Sequence, residues 1–319
     1  MLASKSRLNK HLKNSYQIPS RSIIKAIVAI LITCLALSLG DAMIKQSSAS
    51  FTLWQIFILR SAIAIPFLIY FVRIQSCETP VKPDQAFWTG LRSLILVLMW
   101  VFYYVALPKV PLSIAAAALY LSPLFITLFA SIFIGDKIGV NGWIAVVLSF
   151  IGILLVLKPQ SEEFSVYAML PLISAVCYAL AMIMTRIKCG DEKPLVLSLW
   201  LNVTFVIVGL VASALIYLWQ PSTEAINSNP FMLGEWASMW LAEWKIIALL
   251  AVAIIIGSTG AAVAYQTEHS STVATIDFCY VLFAALWGSL FFAEVLDLVS
   301  VVGIVLIIGG GILSVRRST

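Results

Sequence analysis

Residues 113–158 read SIAAAALYLSPLFITLFASIFIGDKIGVNGWIAVVLSFIGILLVLK, and residues 271–316 read STVATIDFCYVLFAALWGSLFFAEVLDLVSVVGIVLIIGGGILSVR. Superposed at an offset of 158 positions, they set Asp136 beside Glu294, Gly152 beside Gly310 and Lys158 beside Arg316. Each stretch is a pair of apolar runs joined by a short acidic turn. Each run has about 20 residues, the length an α-helix needs to cross the hydrocarbon core of a bilayer.

Similar runs extend outward from this pair. Spans are expected at 23–46, 52–72, 88–107, 111–134, 138–157, 164–187, 194–218, 244–266, 271–292 and 297–315. They fall into two groups of five. A cytoplasmic tail covers 1–22, a first repeat 23–158 and a second repeat 159–319, which includes an outer loop at 219–243. An odd number of crossings per copy turns the second copy upside down relative to the first. The predicted fold class is therefore an all-α membrane protein of ten transmembrane helices in two inverted five-helix repeats, an architecture common among secondary transporters.

Composition supports lipid as the solvent. The 319-residue chain is 61% hydrophobic and 11% charged, against roughly 25% charge in soluble domains. In lipid each backbone polar group needs an internal partner, so runs of this length must be helices. The net charge of +5 does not indicate nucleic acid, because the basic residues sit in loops beside apolar spans. Five cysteines, at 34, 77, 177, 189 and 279, form no disulfide framework, and His11 and His269 are too far apart for a metal site. No cofactor motif is present. The basic N-terminus resembles a signal peptide, but its apolar run is too long and nine more follow, so a retained first helix is expected.

Orientation follows from Lys and Arg. With the N-terminus inside, the cytoplasmic side collects fourteen: six in the N-terminal region, then Arg73, Lys82, Lys137, Arg186, Lys188, Lys193, Arg316 and Arg317. The outer side has four, Lys45, Lys109, Lys158 and Lys245, so both termini are expected in the cytoplasm. Trp236, Trp240 and Trp244, four residues apart in or beside the outer loop, would share one side of a helix. They suggest a short interfacial helix, an ordinary loop with aromatic-belt tryptophans, or a lid over an outer opening.

Nothing reads as an enzyme. HExxH, GxSxG and a phosphate-cradling glycine loop are all missing from the sequence. The Ser22-to-Lys25 S-x-x-K string lies where the chain enters the membrane and is attributed to chance.

Charges within spans are costly and need a partner or a watery cavity. At 1.5 Å per residue Asp41 lies about 9 Å from the outer end of the first span and Arg60 about 12 Å down the second. An Asp41–Arg60 pair across neighbouring helices is expected, either bracing the helices or forming a substrate or proton site. Lys45, four residues after Asp41, is expected to pair with it or to snorkel outward. In the inner half, Asp277 lies about 9 Å and Arg92 about 6 Å from the cytoplasmic end, a second possible pair unless Arg92 snorkels to the headgroups. The repeat mate of Asp277 is Leu119, so Asp277 is not a scaffold position shared by both copies.

Aromatic rings flank these depths: Trp100, Tyr103 and Tyr104 on the third span, Tyr120 on the fourth, Tyr178 on the sixth, Tyr280 and Trp287 on the ninth. Most aromatics in a bundle are packing or belt residues. Tyr120 stands out because Pro123 follows it and cannot donate to the Leu119 carbonyl. Similar kinks are expected at Pro66 and Pro171. Spans five and ten, with Ser149, Gly152 and Gly309 to Gly311, read as bracing helices packed on each other through small residues.

Read in order, these pieces resemble the drug/metabolite transporter superfamily, in its EamA-like ten-helix branch, over nearly the whole chain. They are Asp41-Ala42-Met43-Ile44-Lys45, Arg60-Ser61, Leu91-Arg92, Tyr104-Val105-Ala106-Leu107, Ser122-Pro123, Lys158-Pro159, Asp277-Phe278-Cys279-Tyr280 and Phe292-Ala293-Glu294. Gly135-Asp136 stands where the family usually has Gly-Glu, and Val281 stands where a second proline would match Pro123. The resemblance implies a monomer with two inverted repeats around a central cavity, lined by spans one, three, four, six, eight and nine. It also implies alternating access for a small-molecule metabolite, often driven by protons or other ions.

The function expected is secondary transport of a small amphipathic metabolite, amino acid-like, nucleoside or cofactor-like, across a bacterial inner membrane. The alternatives are an uncoupled facilitator of the same fold and a non-transporting membrane enzyme or scaffold. The expected substrate-binding or gating residues are Asp41, Lys45, Arg60, Arg92, Trp100, Tyr103, Tyr120, Tyr178, Asp277 and Tyr280, with Asp41 and Asp277 as proton-coupling candidates. Expected partners are the substrate, protons and the bilayer, with no nucleic acid, metal or cofactor.

Overall fold

The computed structural model describes residues 21–75, 81–133, 135, 140–158, 165–267 and 279–315, and all their regular structure is helical. Among the described residues, seven helical segments are long and apolar enough to cross a membrane: Val28–Ser47, Leu53–Ile74, Ala86–Ala106, Leu112–Phe133, Val166–Thr185, Pro194–Trp219 and Leu241–Ser258. Three shorter apolar helices accompany them, at Gly142–Leu157, Cys279–Phe292 and Leu298–Gly310. Large apolar side chains such as Phe67, Tyr70, Leu215 and Val305 are exposed, whereas Asp41, Gln55, Arg60 and Asn202 are buried. That inversion of the soluble pattern is what lipid on the outside requires.

The elements are α1 (Arg21–Ser47), α2 (Leu53–Gln75), α3 (Ala86–Ala106), α4 (Leu112–Leu119), α5 (Ser122–Phe133) and α6 (Val140–Leu157). Then follow α7 (Leu170–Lys188), α8 (Pro194–Trp219), α9 (Thr223–Ser228), α10 (Pro230–Leu233), α11 (Leu241–Thr267), α12 (Cys279–Phe292) and α13 (Leu298–Val315). A 3₁₀ turn at Val166–Met169 leads into α7.

The fourth expected span is two helices. Its first ends in a tight turn, with the Leu121 N–H donating to Ala118 O at 3.3 Å. Bonding restarts with Leu124 and Phe125 donating to Leu121 O, after Pro123, which has no N–H to give. Tyr120 sits in this break. Of the other two prolines, only the expectation at Pro171 is corrected. Pro66 lies inside α2, which runs on as one helix. Pro171 is in the first turn of α7, where no N–H is required of it.

Helices α6 and α13 lie along each other. A Cβ added to Gly152 would meet Gly303 O at 2.7 Å, and one on Gly303 would meet Gly152 O at 2.7 Å. Higher in the same contact, a Cβ on Gly310 would meet Ala145 O at 2.9 Å. Gly310 is the counterpart of Gly152 at the 158-position offset, and Ala145 that of Gly303. The contact is therefore self-complementary, as across a two-fold axis. The remaining packing follows the same exchange: α1 lies on α11 and α12, while α7 lies on α3 and α5. Gly135 and Ala293, also offset counterparts, both take positive φ, 85° and 50°.

The 219–243 segment does not form a tryptophan-faced helix. Residues 235–240 are irregular, and only Trp244 is helical, in the first turn of α11. The cause is competition for the backbone. The Gln55 amide accepts from Ala237 N and donates to Ala237 O, both at 2.9 Å, and Trp54 Nε1 donates to Met232 O at 2.9 Å. Helix α11 starts one turn later because Glu243 Oε2 accepts the Trp240 N–H at 3.0 Å, half of a capping box.

Candidate functional site

Asp41 lies within α1 and is 2% exposed. From α12, the Tyr280 hydroxyl donates to Asp41 Oδ2, and the Tyr103 and Tyr104 hydroxyls of α3 also reach this carboxyl. Tyr103 Oη and Tyr280 Oη are 3.2 Å apart. The ring of Tyr280 stacks on Tyr120, with centroids 4.9 Å apart and planes at 21°. The break between α4 and α5 thus carries a ring into the same cluster. Trp100 leans on Tyr104 at 4.9 Å.

Arg60, also 2% exposed, reaches this cluster from α2. Its guanidinium lies over the Phe205 ring at 4.9 Å and the Phe57 ring at 5.6 Å, and Nη1 donates to Tyr104 Oη at 3.4 Å. The expected Asp41–Arg60 contact is indirect. Among the described residues the ion pairs are Lys45–Glu294 and Lys158–Asp297, and Tyr104 stands between Asp41 and Arg60.

Lys45 turns to neither Asp41 nor the headgroups. Its Nζ lies 2.8 Å from Glu294 Oε1 and 2.6 Å from Val110 O, and it sits over the Phe292 ring. Glu294 Oε1 also accepts the Leu112 N–H at 2.9 Å. One acidic side chain therefore ties together the end of α1, the start of α4 and the turn after α12.

Arg92 is remote from the aromatic cluster. Its Nε donates to Thr185 Oγ1 at 2.6 Å on α7, and Tyr178 and Cys189 bear on its charge. Asp277, its expected partner, lies outside the described residues, as does Asp136. The structure thus gathers Asp41, Arg60, Trp100, Tyr103, Tyr120 and Tyr280, and places Lys45, Arg92 and Tyr178 elsewhere. Sequence reasoning missed Phe57 and Phe205, the two faces against Arg60. Phe57 was visible three positions before Arg60 on one helix face, but Phe205 has no local signal. Glu294 was legible as the repeat mate of Asp136 and within Phe292-Ala293-Glu294, but not as a partner of Lys45.

A buried carboxyl, a buried guanidinium and a set of tyrosines contributed by separate helices define a multi-pass membrane protein with a polar centre. The EamA-like transporter family matches residues 24–158 and again 165–316, and the chain belongs to that family. It is 26% identical over 272 residues to the pseudopaline exporter of Pseudomonas aeruginosa, covering 85% of this chain and 89% of that one. It is 24% identical over 229 residues to a riboflavin transporter of Vibrio cholerae, covering 69% and 74%. A crystal structure of a protein 15% identical superposes with a TM-score of 0.59 over 94% of this chain and 99% of that one, a likeness of fold alone.

Proposed function

We propose that this chain is a proton-coupled secondary transporter that moves a small amphipathic metabolite across the bacterial inner membrane by alternating access. The observation that carries the reading is Asp41, buried with the Tyr280 hydroxyl of α12 donating to it and Tyr103 and Tyr104 of α3 beside it. A buried ionisable group in a membrane protein marks a substrate or proton path. Relatives named as carriers of pseudopaline and riboflavin support a small metabolite as cargo. The self-complementary α6–α13 contact, the exchanged packing of α1 and α7, and the double family match support ten crossings. In this reading two inverted repeats, 23–158 and 159–319, rock within a monomer whose termini are both cytoplasmic. Helices α6 and α13 brace the pair, Lys45–Glu294 holds the outer side, and Arg92 with Asp277 serves the inner side.

Asp41 changes protonation as α1 and α12 exchange partners, and the Tyr280 hydroxyl supplies or withdraws its hydrogen bond. The test uses proteoliposomes and a cargo found by thermal-stability screening against amino acids, nucleosides and flavins, since ligand binding raises apparent stability. Asp41→Asn is expected to lose uptake driven by a pH gradient while keeping exchange of labelled for unlabelled cargo. Full gradient-driven transport in that variant would leave an uncoupled facilitator.

A further inference from the structure

Arg60 is buried with most of its guanidinium unused. Its Nε and Nη2 have no hydrogen-bond partner among the described residues, and Nη1 makes one long bond to Tyr104 Oη at 3.4 Å. Arginine cannot shed its proton to relieve such burial. The rings of Phe57 and Phe205, with centroids 4.6 Å apart, lie on one side of the guanidinium and partly compensate its charge, but neither ring supplies an acceptor for the Nε and Nη2 hydrogens. Asp41 acts on the charge through space, yet it is engaged by tyrosine hydroxyls and lies outside ion-pair reach.

The unused atoms matter for what could bind. Nε and Nη2 lie on one edge of the guanidinium and present two parallel N–H groups, the fork that a carboxylate fills with two hydrogen bonds. Tyr104, which Arg60 contacts, carries Trp100 against its ring, and the neighbouring Asp41 cluster adds Tyr120 stacked on Tyr280.

We propose that the Nε/Nη2 edge of Arg60 is the cargo's anion site, and that the cargo is a carboxylate carried on a flat apolar body. This rests on the transport reading above. The carboxylate completes the counter-charge that the protein leaves open, while Phe57 and Phe205 back the guanidinium from one side. The cargo headgroup and the proton then have separate seats, Arg60 and Asp41, coupled through Tyr104. Amides and esters of the same body lack the anion and are rejected.

The experiment measures thermal shifts of the purified full chain with matched probes: benzoate and benzamide, indole-3-acetate and indole-3-acetamide, L-tryptophan and L-tryptophanamide. At least one acid is expected to raise the melting temperature in a saturable way while its amide does not. Arg60→Gln is expected to bind that acid at least about 30-fold more weakly, the lower end of the cost of removing one partner from a buried charge pair. Arg60→Lys keeps the charge, loses the fork and falls between the two. Size-exclusion chromatography shows whether each variant is folded, and Arg60→Lys carries the comparison if Arg60→Gln is not. Equal shifts from acid and amide, no shift from any acid, or wild-type affinity in Arg60→Lys and every folded Arg60 variant would overturn the proposal. Each of those results leaves the Asp41→Asn gradient test unaffected, so a wrong cargo class and a wrong coupling mechanism are told apart.

Discussion

Lys45 Nζ lies 2.8 Å from Glu294 Oε1, a contact between residues 249 positions apart. Their side chains are 13% and 12% exposed, so the pair is largely withdrawn from solvent. Breaking a buried pair leaves one charge uncompensated, at about 3 kcal/mol. Lys45→Met and Glu294→Gln are each expected to lower stability by that order, read as a fall in melting temperature in detergent. The double variant Lys45→Glu with Glu294→Lys should recover part of the loss. Full recovery is not expected, because a lysine at 294 cannot accept the Leu112 N–H. Wild-type melting in either single variant would show that the pair does not hold the end of α1 to the start of α4.

The segment before α11 is tied down by the Gln55 amide. Gln55 is fully buried and bonds both polar groups of Ala237. Gln55→Ala strands the N–H and C=O of half-buried Ala237, at about 1 kcal/mol. The variant is expected to be cut faster by protease between 219 and 241 than the wild-type chain. Unchanged cleavage would mean that Trp54 and packing suffice to hold the segment.

The α6–α13 contact separates two kinds of glycine. A Cβ at Gly303 would press on Gly152 O and Val156 Cγ2, both at 2.7 Å, whereas one at Gly309 would meet nothing within 4 Å. Gly303→Ala should therefore lower the melting temperature. Gly309→Ala should leave it unchanged or raise it slightly, since alanine favours a helix by about 1 kcal/mol over glycine. Equal effects at the two positions would place the close approach elsewhere.

Where a signal was local, the sequence was readable. Apolar runs of membrane length located the helices, and Pro123 located the break that brings Tyr120 to Tyr280. The site residues on α1, α2, α3 and α12 were legible because charge and hydroxyl groups are rare inside spans. The partners were not. Asp41 and Arg60 matched in depth, but depth carries no azimuth, and the guanidinium turns to the Tyr104 hydroxyl and the Phe205 ring instead. Lys45 found Glu294 rather than its helix neighbour through a tertiary contact that no spacing encodes. The tryptophan spacing at 236, 240 and 244 fitted a helix, but Gln55, far away in sequence, took the backbone bonds that helix would need.

Asp297 gives a pH prediction outside the spans. Hydrogen bonds from Lys158 and Ser300, together with the Lys158 charge, hold its carboxyl down at about 2, from an ordinary value of 3.8. A depressed folded pKa means that the folded state favours the ionised form. The stabilisation is therefore fully present above about pH 4 and disappears as pH falls toward 2. Asp297→Asn should remove this part of the acid sensitivity and leave stability at pH 7 slightly lower, because the α13 start loses its Val299 and Ser300 contacts to a carboxylate. Melting curves from pH 6 to pH 2 that run parallel in the two proteins would assign the acid sensitivity to other groups.

Tyr280 separates the hydroxyl from the ring. Its Oη serves both Asp41 and Tyr103, while its ring stacks on Tyr120. Tyr280→Phe keeps the stack and takes the donor from a buried carboxyl, a loss of about 1–3 kcal/mol. If that hydrogen bond belongs to the proton step, the loss appears as a fall of roughly 10- to 100-fold in gradient-driven transport, with little change in melting temperature. Tyr120→Ala should act the other way, removing the stacking surface and weakening cargo binding while Asp41 keeps its donor. The two variants are compared by initial rate against pH and by cargo affinity. A Tyr280→Phe variant with wild-type rates across the pH range would show that the Asp41–Tyr280 bond only joins α1 to α12. A slower variant with an altered pH profile and unchanged cargo affinity would place that bond on the path of the proton.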